Sequence, residues 1–223
     1  MTQDPHRNQP VLSSGAKLTG AAGAVILLHG RGASAEDILE LGREFERPEL
    51  AYLAPQAVRN SWYPNSFLAP VAENEPWLSS ALRKVDTILR MAMDAGISAD
   101  RIVIAGFSQG ACLASEFVAR NAARYGGLIA FSGGLIGPPG TEFQYPGRLG
   151  GTPAFFGGGD ADAHVPWQRV EESASVLSAM GADVLLKRYN GMPHTINREE
   201  IEEARGLLAR AFRSVADAVR PRD

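Results

Sequence analysis

The sequence predicts one α/β domain with a mainly parallel central sheet and helices on both faces. Short apolar segments rich in β-branched residues alternate with segments of helical periodicity along most of the chain. This alternation is typical of a parallel sheet covered by crossover helices. The 223 residues, 45% of them hydrophobic, suffice for one sizeable core. We find no internal repeat, no domain boundary and no segment that would form a separate lid domain.

The first nineteen residues are expected to be a flexible N-terminal arm, which places the folded domain at residues 20–223. The arm contains Pro5 and Pro10 and has little hydrophobicity. Its His6 is expected to be exposed and without a role. The continuously apolar run Ala24–Leu28 then predicts a strand buried on both faces.

The remaining elements follow from capping residues, glycine stops and periodicity. Ser34 is expected to cap a helix, with acidic residues in its first turn, and Asn197 with Glu200 resembles a capping pair. The other predicted elements are a strand at Ala51–Ala54, a helix from Asn74–Pro76 to Gly96, strands at Leu128–Phe131 and Pro153–Gly157, a helix from Pro166 to Gly181, a strand at Asp183–Tyr189 and a last helix whose apolar side extends to Val215.

The sequence Gly-Phe-Ser-Gln-Gly at positions 106–110 follows the apolar run Ile102–Ala105 and precedes a helix. Strand, sharp turn and helix with a serine on the turn form the nucleophile elbow, in which the turn raises the hydroxyl above the sheet. The two glycines allow the strand and helix backbones to pass close together. The motif alone is weak evidence, since a tight turn without chemistry has the same pattern.

Polar residues at other strand ends add a base and an acid. A serine hydroxyl needs a base within hydrogen-bond reach, and the base needs a carboxylate to hold its tautomer. The later loops contain Asp160, Asp162 and His194. Because parallel strands place their carboxyl ends at one edge, these residues are expected to meet Ser108 there. The chain order Ser, Asp, His is that of α/β hydrolases.

These residues resemble the phospholipase/carboxylesterase family of α/β hydrolases, which includes the acyl-protein thioesterases. The resemblance implies Ser108 as nucleophile, Asp162 as acid and His194 as general base. It also implies an oxyanion hole formed by the backbone N–H groups of Arg31 and Gln109, so that the side chains at these two positions are not themselves informative. The motifs that carry the resemblance are Leu28–Gly32, Trp62–Pro64, Arg101–Gly110, Gly159–Asp162 with Val165–Pro166, and Gly191–His194.

Two positions depart from the family pattern. Ala163 stands where the family usually has proline after the catalytic aspartate, which predicts a less rigid acid loop. Pro64 stands where thioesterase members usually have aspartate, which favours a bacterial-type carboxylesterase. The predicted function is therefore a serine carboxylesterase for short- to medium-chain esters. The alternatives are an acyl thioesterase or lysophospholipase, and a catalytically silent binding module with the same fold.

Several residues have competing interpretations. His164 is a rival for the base and Asp160 for the acid, while His29 is expected to fix the glycine loop by hydrogen bonds. Cys112 is interpreted as a small buried hydrophobic residue. The predicted substrate-binding residues, which could instead be core, are Trp62, Tyr63, Phe67, Leu68 and Leu135; the same ambiguity applies to Trp77.

Composition limits partners and location. The net charge of −3 and the scattered basic residues argue against nucleic acid as a partner. A single cysteine cannot form an internal disulfide, and the polar opening lacks the apolar core of a signal peptide, so we expect a cytoplasmic protein without stable membrane insertion. No cofactor and no metal ion are expected, because no side-chain grouping has ligand spacing. A small-molecule ester is the expected partner. The sequence does not decide whether the protein is a monomer or a homodimer.

Overall fold

The structure is a computed structural model that describes residues 4–212. It contains one seven-stranded sheet and five α-helices within that range. The strands are β1 (Val11–Gly15), β2 (Ala24–Leu28), β3 (Ala51–Pro55), β4 (Ile102–Phe107), β5 (Gly127–Phe131), β6 (Pro153–Gly159) and β7 (Asp183–Tyr189). The helices are α1 (Ala35–Arg43), α2 (Trp77–Asp94), α3 (Gln109–Arg120), α4 (Trp167–Ala179) and α5 (Arg198–Ala211).

The sheet has the strand order β1-β3-β2-β4-β5-β6-β7, and every neighbouring pair except β1–β3 is parallel. Helices α2, α3 and α4 cover one face, and α1 and α5 cover the other. Along β2, Ile26 packs on the face covered by α2, α3 and α4. Its neighbours Val25 and Leu27 pack on the face covered by α1 and α5. A strand covered on both faces cannot alternate apolar with polar residues, which explains its continuous apolar run.

The topology places one crevice at the carboxyl edge of the sheet. From β2 the chain first moves outward to β3, then crosses back to β4 and continues in the opposite direction to β7. The loops that follow β2 and β4 therefore diverge, and ligands of open α/β sheets bind at such a switch point. The predicted fold class is confirmed, and within residues 4–212 no separate domain covers this edge.

The predicted capping residues are found at two helices. Ser34 and Asp37 form a reciprocal capping box at α1, as Asn197 and Glu200 do at α5. The apolar side of the last helix was expected to reach Val215, which lies outside the described residues. None of the helices within residues 4–212 combines the length and the apolar character that crossing a bilayer requires.

The expected flexible arm is corrected by the structure. Val11–Gly15 pairs antiparallel with β3 as the edge strand β1. His6 is fully buried, and its Nε2–H group donates to the Trp62 carbonyl oxygen at 2.9 Å. The side chain of Lys84 donates to the Gln9 carbonyl oxygen at 2.5 Å. Hydrogen bonds to α2 and to distant loops, which hydropathy does not register, therefore hold this segment.

Candidate active site

Ser108 lies on a strained turn between β4 and α3. Its φ of 56° and ψ of −120° place a non-glycine residue in a region that L-amino acids rarely adopt. A Cβ atom on Gly110 would lie 2.0 Å from the Leu28 carbonyl oxygen, and one on Gly106 would lie 2.4 Å from the Gly110 carbonyl carbon. The two glycines are therefore required by close backbone approach, as the elbow motif predicts.

The structure brings the three predicted catalytic side chains together at the carboxyl edge. His194 Nε2 lies 2.8 Å from the Ser108 hydroxyl oxygen, and His194 Nδ1 lies 2.6 Å from Asp162 Oδ2. An ionised carboxylate only accepts, so Nδ1 carries the proton and Nε2 accepts from the hydroxyl. This tautomer is the one in which the imidazole can take the serine proton.

Asp162 is ionised and tightly held. Its other carboxylate oxygen accepts from the backbone N–H groups of His164 at 2.8 Å and Val165 at 2.9 Å. Burial raises the pKa of Asp162, but the hydrogen bond from His194 and the two backbone donors outweigh it, so that its pKa lies below the ordinary value. These two hydrogen bonds tie the residues after Ala163 to the carboxylate, and the prediction of a less rigid acid loop stays a prediction.

The rival residues have other partners. Asp160 accepts from the Gly191 backbone N–H at 2.6 Å and pairs with Arg188 at 3.2 Å. The exposed ring of His164 lies 4.9 Å from the ring of His194, centroid to centroid. His29 donates from Nδ1 to the Gly30 carbonyl and accepts at Nε2 from the Ala57 N–H. These contacts make Asp160 and His29 loop-holding residues in this structure.

A cavity of about 420 Å³ opens beside the Ser108 hydroxyl. Its wall is mixed, with aromatic, aliphatic and polar side chains. The lining residues are Arg31, Tyr63, Pro64, Asn65, Ser66, Phe67, Ser108, Gln109, Cys112, His164, Val165 and His194. Cavities of this size accommodate small ligands.

The prediction of substrate-binding residues is corrected in part. Tyr63 and Phe67 line the cavity, but Trp62, Leu68 and Leu135 do not. Leu135 is fully buried and Leu68 packs on the core. Trp62 is also fully buried, and its indole N–H donates to the His29 carbonyl oxygen at 2.8 Å. The direction of each side chain in an irregular loop depends on how the loop folds, and the sequence does not show it.

Cys112 forms part of the cavity wall as a neutral thiol. It is 1% exposed, and burial raises its pKa to about 12. The thiolate that a nucleophilic cysteine needs is therefore disfavoured. The residue contributes a small, polarisable surface below Ser108, one helical turn further along α3.

The side chains of Arg31 and Gln109 hold the loop that walls the cavity, which the sequence interpretation missed by treating them as uninformative. Gln109 accepts from the Trp62 backbone N–H and donates to the Tyr63 carbonyl, both at 2.9 Å. Arg31 donates to the Pro64 carbonyl at 2.8 Å. No sequence signal indicates these contacts, because they depend on how the loop folds back on the elbow.

The phospholipase/carboxylesterase family matches this chain over residues 11–211. The chain therefore belongs to that family. A crystal structure of a phospholipase/carboxylesterase from Dyadobacter fermentans superposes with a TM-score of 0.87 at 45% identity, covering 90% of this chain and 96% of that one. This is the family that the sequence motifs resemble.

Curated relatives carry two kinds of name. Acyl-protein thioesterase 1 of Neurospora crassa is 30% identical over 152 residues, which are 65% of this chain and 60% of that protein. A probable carboxylesterase of Oryza sativa subsp. japonica is 27% identical over 84% of this chain and 88% of that protein. The chain thus spans about three fifths of the first curated relatives it matches, 60% and 61% of their lengths.

Proposed function

We propose that this protein is a serine carboxylesterase that cleaves short- to medium-chain carboxylic esters through an acyl-enzyme. The observation that carries the proposal is the continuous hydrogen-bonded chain from the Ser108 hydroxyl through His194 to Asp162, beside an open cavity. This geometry favours an enzyme over a silent binding module, which would need no base aligned on a strained serine.

The reaction would proceed in two halves. The Ser108 oxygen attacks the ester carbonyl carbon while His194 Nε2 takes the hydroxyl proton, and Asp162 stabilises the imidazolium. The imidazolium then gives its proton to the leaving alcohol. A water molecule attacks the acyl-enzyme with the same base, which releases the acid and restores Ser108.

The backbone N–H groups of Arg31 and Gln109 would stabilise the oxyanion. Both residues line the cavity beside Ser108 and follow β2 and β4 at the switch point of the sheet. Gln109 is the first residue of α3, where backbone N–H groups lack intrahelical partners and the helix dipole favours negative charge. Fixed donors of this kind supply much of the rate enhancement in acyl transfer.

Acyl length would be limited by the size of the cavity wall. Each buried CH₂ is worth about 0.8 kcal/mol, or roughly a fourfold gain in kcat/KM, while wall remains to cover it. We expect kcat/KM on p-nitrophenyl esters to rise over the first methylenes, peak at short to medium chains and then level or fall. Phe67→Ala should flatten this rise, since Phe67 lines the cavity.

The matched control is Phe45→Ala, because Phe45 is buried in the core on the other face of the sheet and does not line the cavity. It should lower the free energy of unfolding without flattening the acyl-length profile. An increase that continues to long chains, or an equal flattening in both variants, would contradict the proposed acyl wall. Esters must be kept below their micelle concentrations, so that only monomeric substrate is compared.

The second candidate is an acyl thioesterase, which the names of several curated relatives favour. The same catalytic groups would act, and only the leaving group differs. Matched oxygen and sulfur esters of one acyl group separate the two by their kcat/KM values. A higher kcat/KM on the oxygen ester supports the carboxylesterase. A kcat/KM that is tenfold or more higher on the thioester would make the acyl thioesterase the preferred function. Ser108→Ala and His194→Ala should each abolish both activities.

A further inference from the structure

One irregular segment, residues 61–67, forms much of the cavity wall and is here named the wall loop. Five of its seven residues line the cavity, namely Tyr63, Pro64, Asn65, Ser66 and Phe67. The segment is neither helix nor strand, so its backbone polar groups need partners from elsewhere. The residues that supply these hydrogen bonds therefore set the distance between the cavity wall and Ser108.

Gln109 provides two of these partners from beneath the loop. Its side-chain oxygen accepts from the Trp62 N–H and its side-chain nitrogen donates to the Tyr63 carbonyl, each at 2.9 Å. Gln109 is only 6% exposed, and both hydrogen bonds are buried. A buried amide paired at both ends has one orientation, so it fixes the loop backbone at this point.

Arg31 provides further partners from the solvent side. Its guanidinium group donates to the Ser61 hydroxyl at 3.2 Å, the Pro64 carbonyl at 2.8 Å and the Asn65 carbonyl at 2.5 Å. Its Cζ atom also lies 5.9 Å from the centre of the Tyr63 ring. Within residues 4–212, Arg31 forms no ion pair with a carboxylate, so the wall loop supplies the acceptors for this cation.

The same two residues carry the backbone N–H groups that would bind the oxyanion. Each residue therefore touches the site twice, with its backbone at the reacting carbonyl and its side chain on the wall loop. We infer that the side chains of Arg31 and Gln109 are specificity-determining positioning groups, which fix the distance between the oxyanion hole and the acyl wall. This inference rests on the proposed esterase function.

Other contacts keep the wall loop attached when these side chains are changed. The Trp62 indole donates to the His29 carbonyl at 2.8 Å, Gly32 N–H donates to the Asn60 carbonyl at 2.7 Å, and Asn65 N–H donates to the Asn74 side chain at 2.9 Å. Variants at Arg31 and Gln109 should therefore fold, with a displaced or mobile wall rather than an absent one.

Gln109→Leu leaves the Trp62 N–H and the Tyr63 carbonyl without their partner, while the helix still presents the N–H of residue 109. A hexanoate ester uses the wall, whereas an acetate ester hardly reaches it. Since each covered CH₂ is worth roughly fourfold in kcat/KM, loss of contact with one or two methylenes should lower the hexanoate-to-acetate ratio by about four- to sixteenfold. Arg31→Ala should lower the ratio in the same direction.

The experiment measures kcat/KM for p-nitrophenyl acetate and hexanoate, and amide hydrogen exchange of peptides covering the wall loop, in the full-length protein. The variants are Gln109→Leu and Arg31→Ala, the latter also with millimolar guanidinium to replace the lost group. Gln168→Leu is the matched control, since Gln168 is exposed on α4, donates to Glu172 and does not line the cavity.

The inference expects a lower hexanoate-to-acetate ratio and faster exchange in the wall loop for both variants, with the ratio of Arg31→Ala raised again by guanidinium. Equal losses on both esters would assign the effect to the oxyanion hole and overturn the inference, as would unchanged exchange or an unchanged ratio. A wild-type protein that hydrolyses no ester refutes the proposed function instead, and the exchange measurement then still decides whether these side chains hold the wall.

Discussion

Glu200 carries a buried carboxyl group whose ionisation should weaken the fold as the pH rises. The side chain is fully buried at the start of α5, the helix that follows the His194 loop. One carboxylate oxygen accepts from the Asn197 N–H at 2.9 Å, and the other has no hydrogen-bond partner among the described residues. Burial raises the pKa of Glu200 from 4.5 to about 7.

The sign and size of the effect follow from this pKa. Below pH 4.5 both the folded and the unfolded chain hold the proton. Between pH 4.5 and about 7 only the folded chain keeps it, so the free energy of unfolding falls as pH rises. Above about 7 the contribution is lost in full, and at ~1.4 kcal/mol per pKa unit the loss is about 3 kcal/mol.

Glu200→Gln removes the titrating group while keeping an oxygen to accept from the Asn197 N–H. Urea unfolding followed by tryptophan fluorescence should show nearly equal stabilities at pH 5 and a variant more stable by about 2 to 3 kcal/mol at pH 8. The lost negative charge at the helix N-terminus offsets less than 1 kcal/mol of this gain. Glu171→Gln, at an exposed position of α4, is the control. A stability difference that does not change with pH would show that the carboxyl group of Glu200 does not titrate at a raised pKa in the folded protein.

Three further predictions concern the site and its supports. Asp162→Asn removes the anion that holds the His194 tautomer, so turnover of p-nitrophenyl butyrate should fall by about 10³- to 10⁴-fold with little change in Tm. A fall in turnover of less than tenfold would contradict the role of Asp162 as the acid. Gly110→Ala forces a Cβ atom to 2.0 Å from the Leu28 carbonyl oxygen and should lower the free energy of unfolding in urea by more than about 3 kcal/mol. Gly158→Ala, whose Cβ atom would have its nearest neighbour at 3.7 Å, should lower it far less. Equal losses in the two variants would contradict the close approach at Gly110. His6→Ala removes the two hydrogen bonds of a buried ring and should lower the free energy of unfolding by about 2 to 3 kcal/mol. An unchanged stability would restore the interpretation of residues 1–19 as a flexible arm.

The sequence predicts well those features that repeat or that obey a local steric rule. The apolar runs of β2 and β4 and the capping pairs at Ser34 and Asn197 each depend on neighbours a few residues away. The elbow glycines also follow from a local rule, since only residues without Cβ fit there. The meeting of Ser108, Asp162 and His194 follows from parallel strands ending at one edge.

The features that sequence cannot show depend on contacts between distant segments. The N-terminal residues look disordered by composition, yet His6 is bound by Trp62 and Val58 across more than fifty residues. By sequence Trp62 could be a substrate-binding or a core residue, and the structure places it outside the cavity wall, while its neighbour Tyr63 lines that wall. Such directions are set by partners that no local pattern records.

The proposed mechanism requires Ser108 to be a nucleophile activated by His194. Intact-protein and peptide mass spectrometry after incubation with a fluorophosphonate tests it most directly, because the activated serine oxygen displaces fluoride from phosphorus and keeps the phosphonyl group. We expect one adduct, on the peptide that contains Ser108, much slower labelling in His194→Ala and none in Ser108→Ala. An unlabelled wild-type protein, or an adduct on another residue, would contradict it.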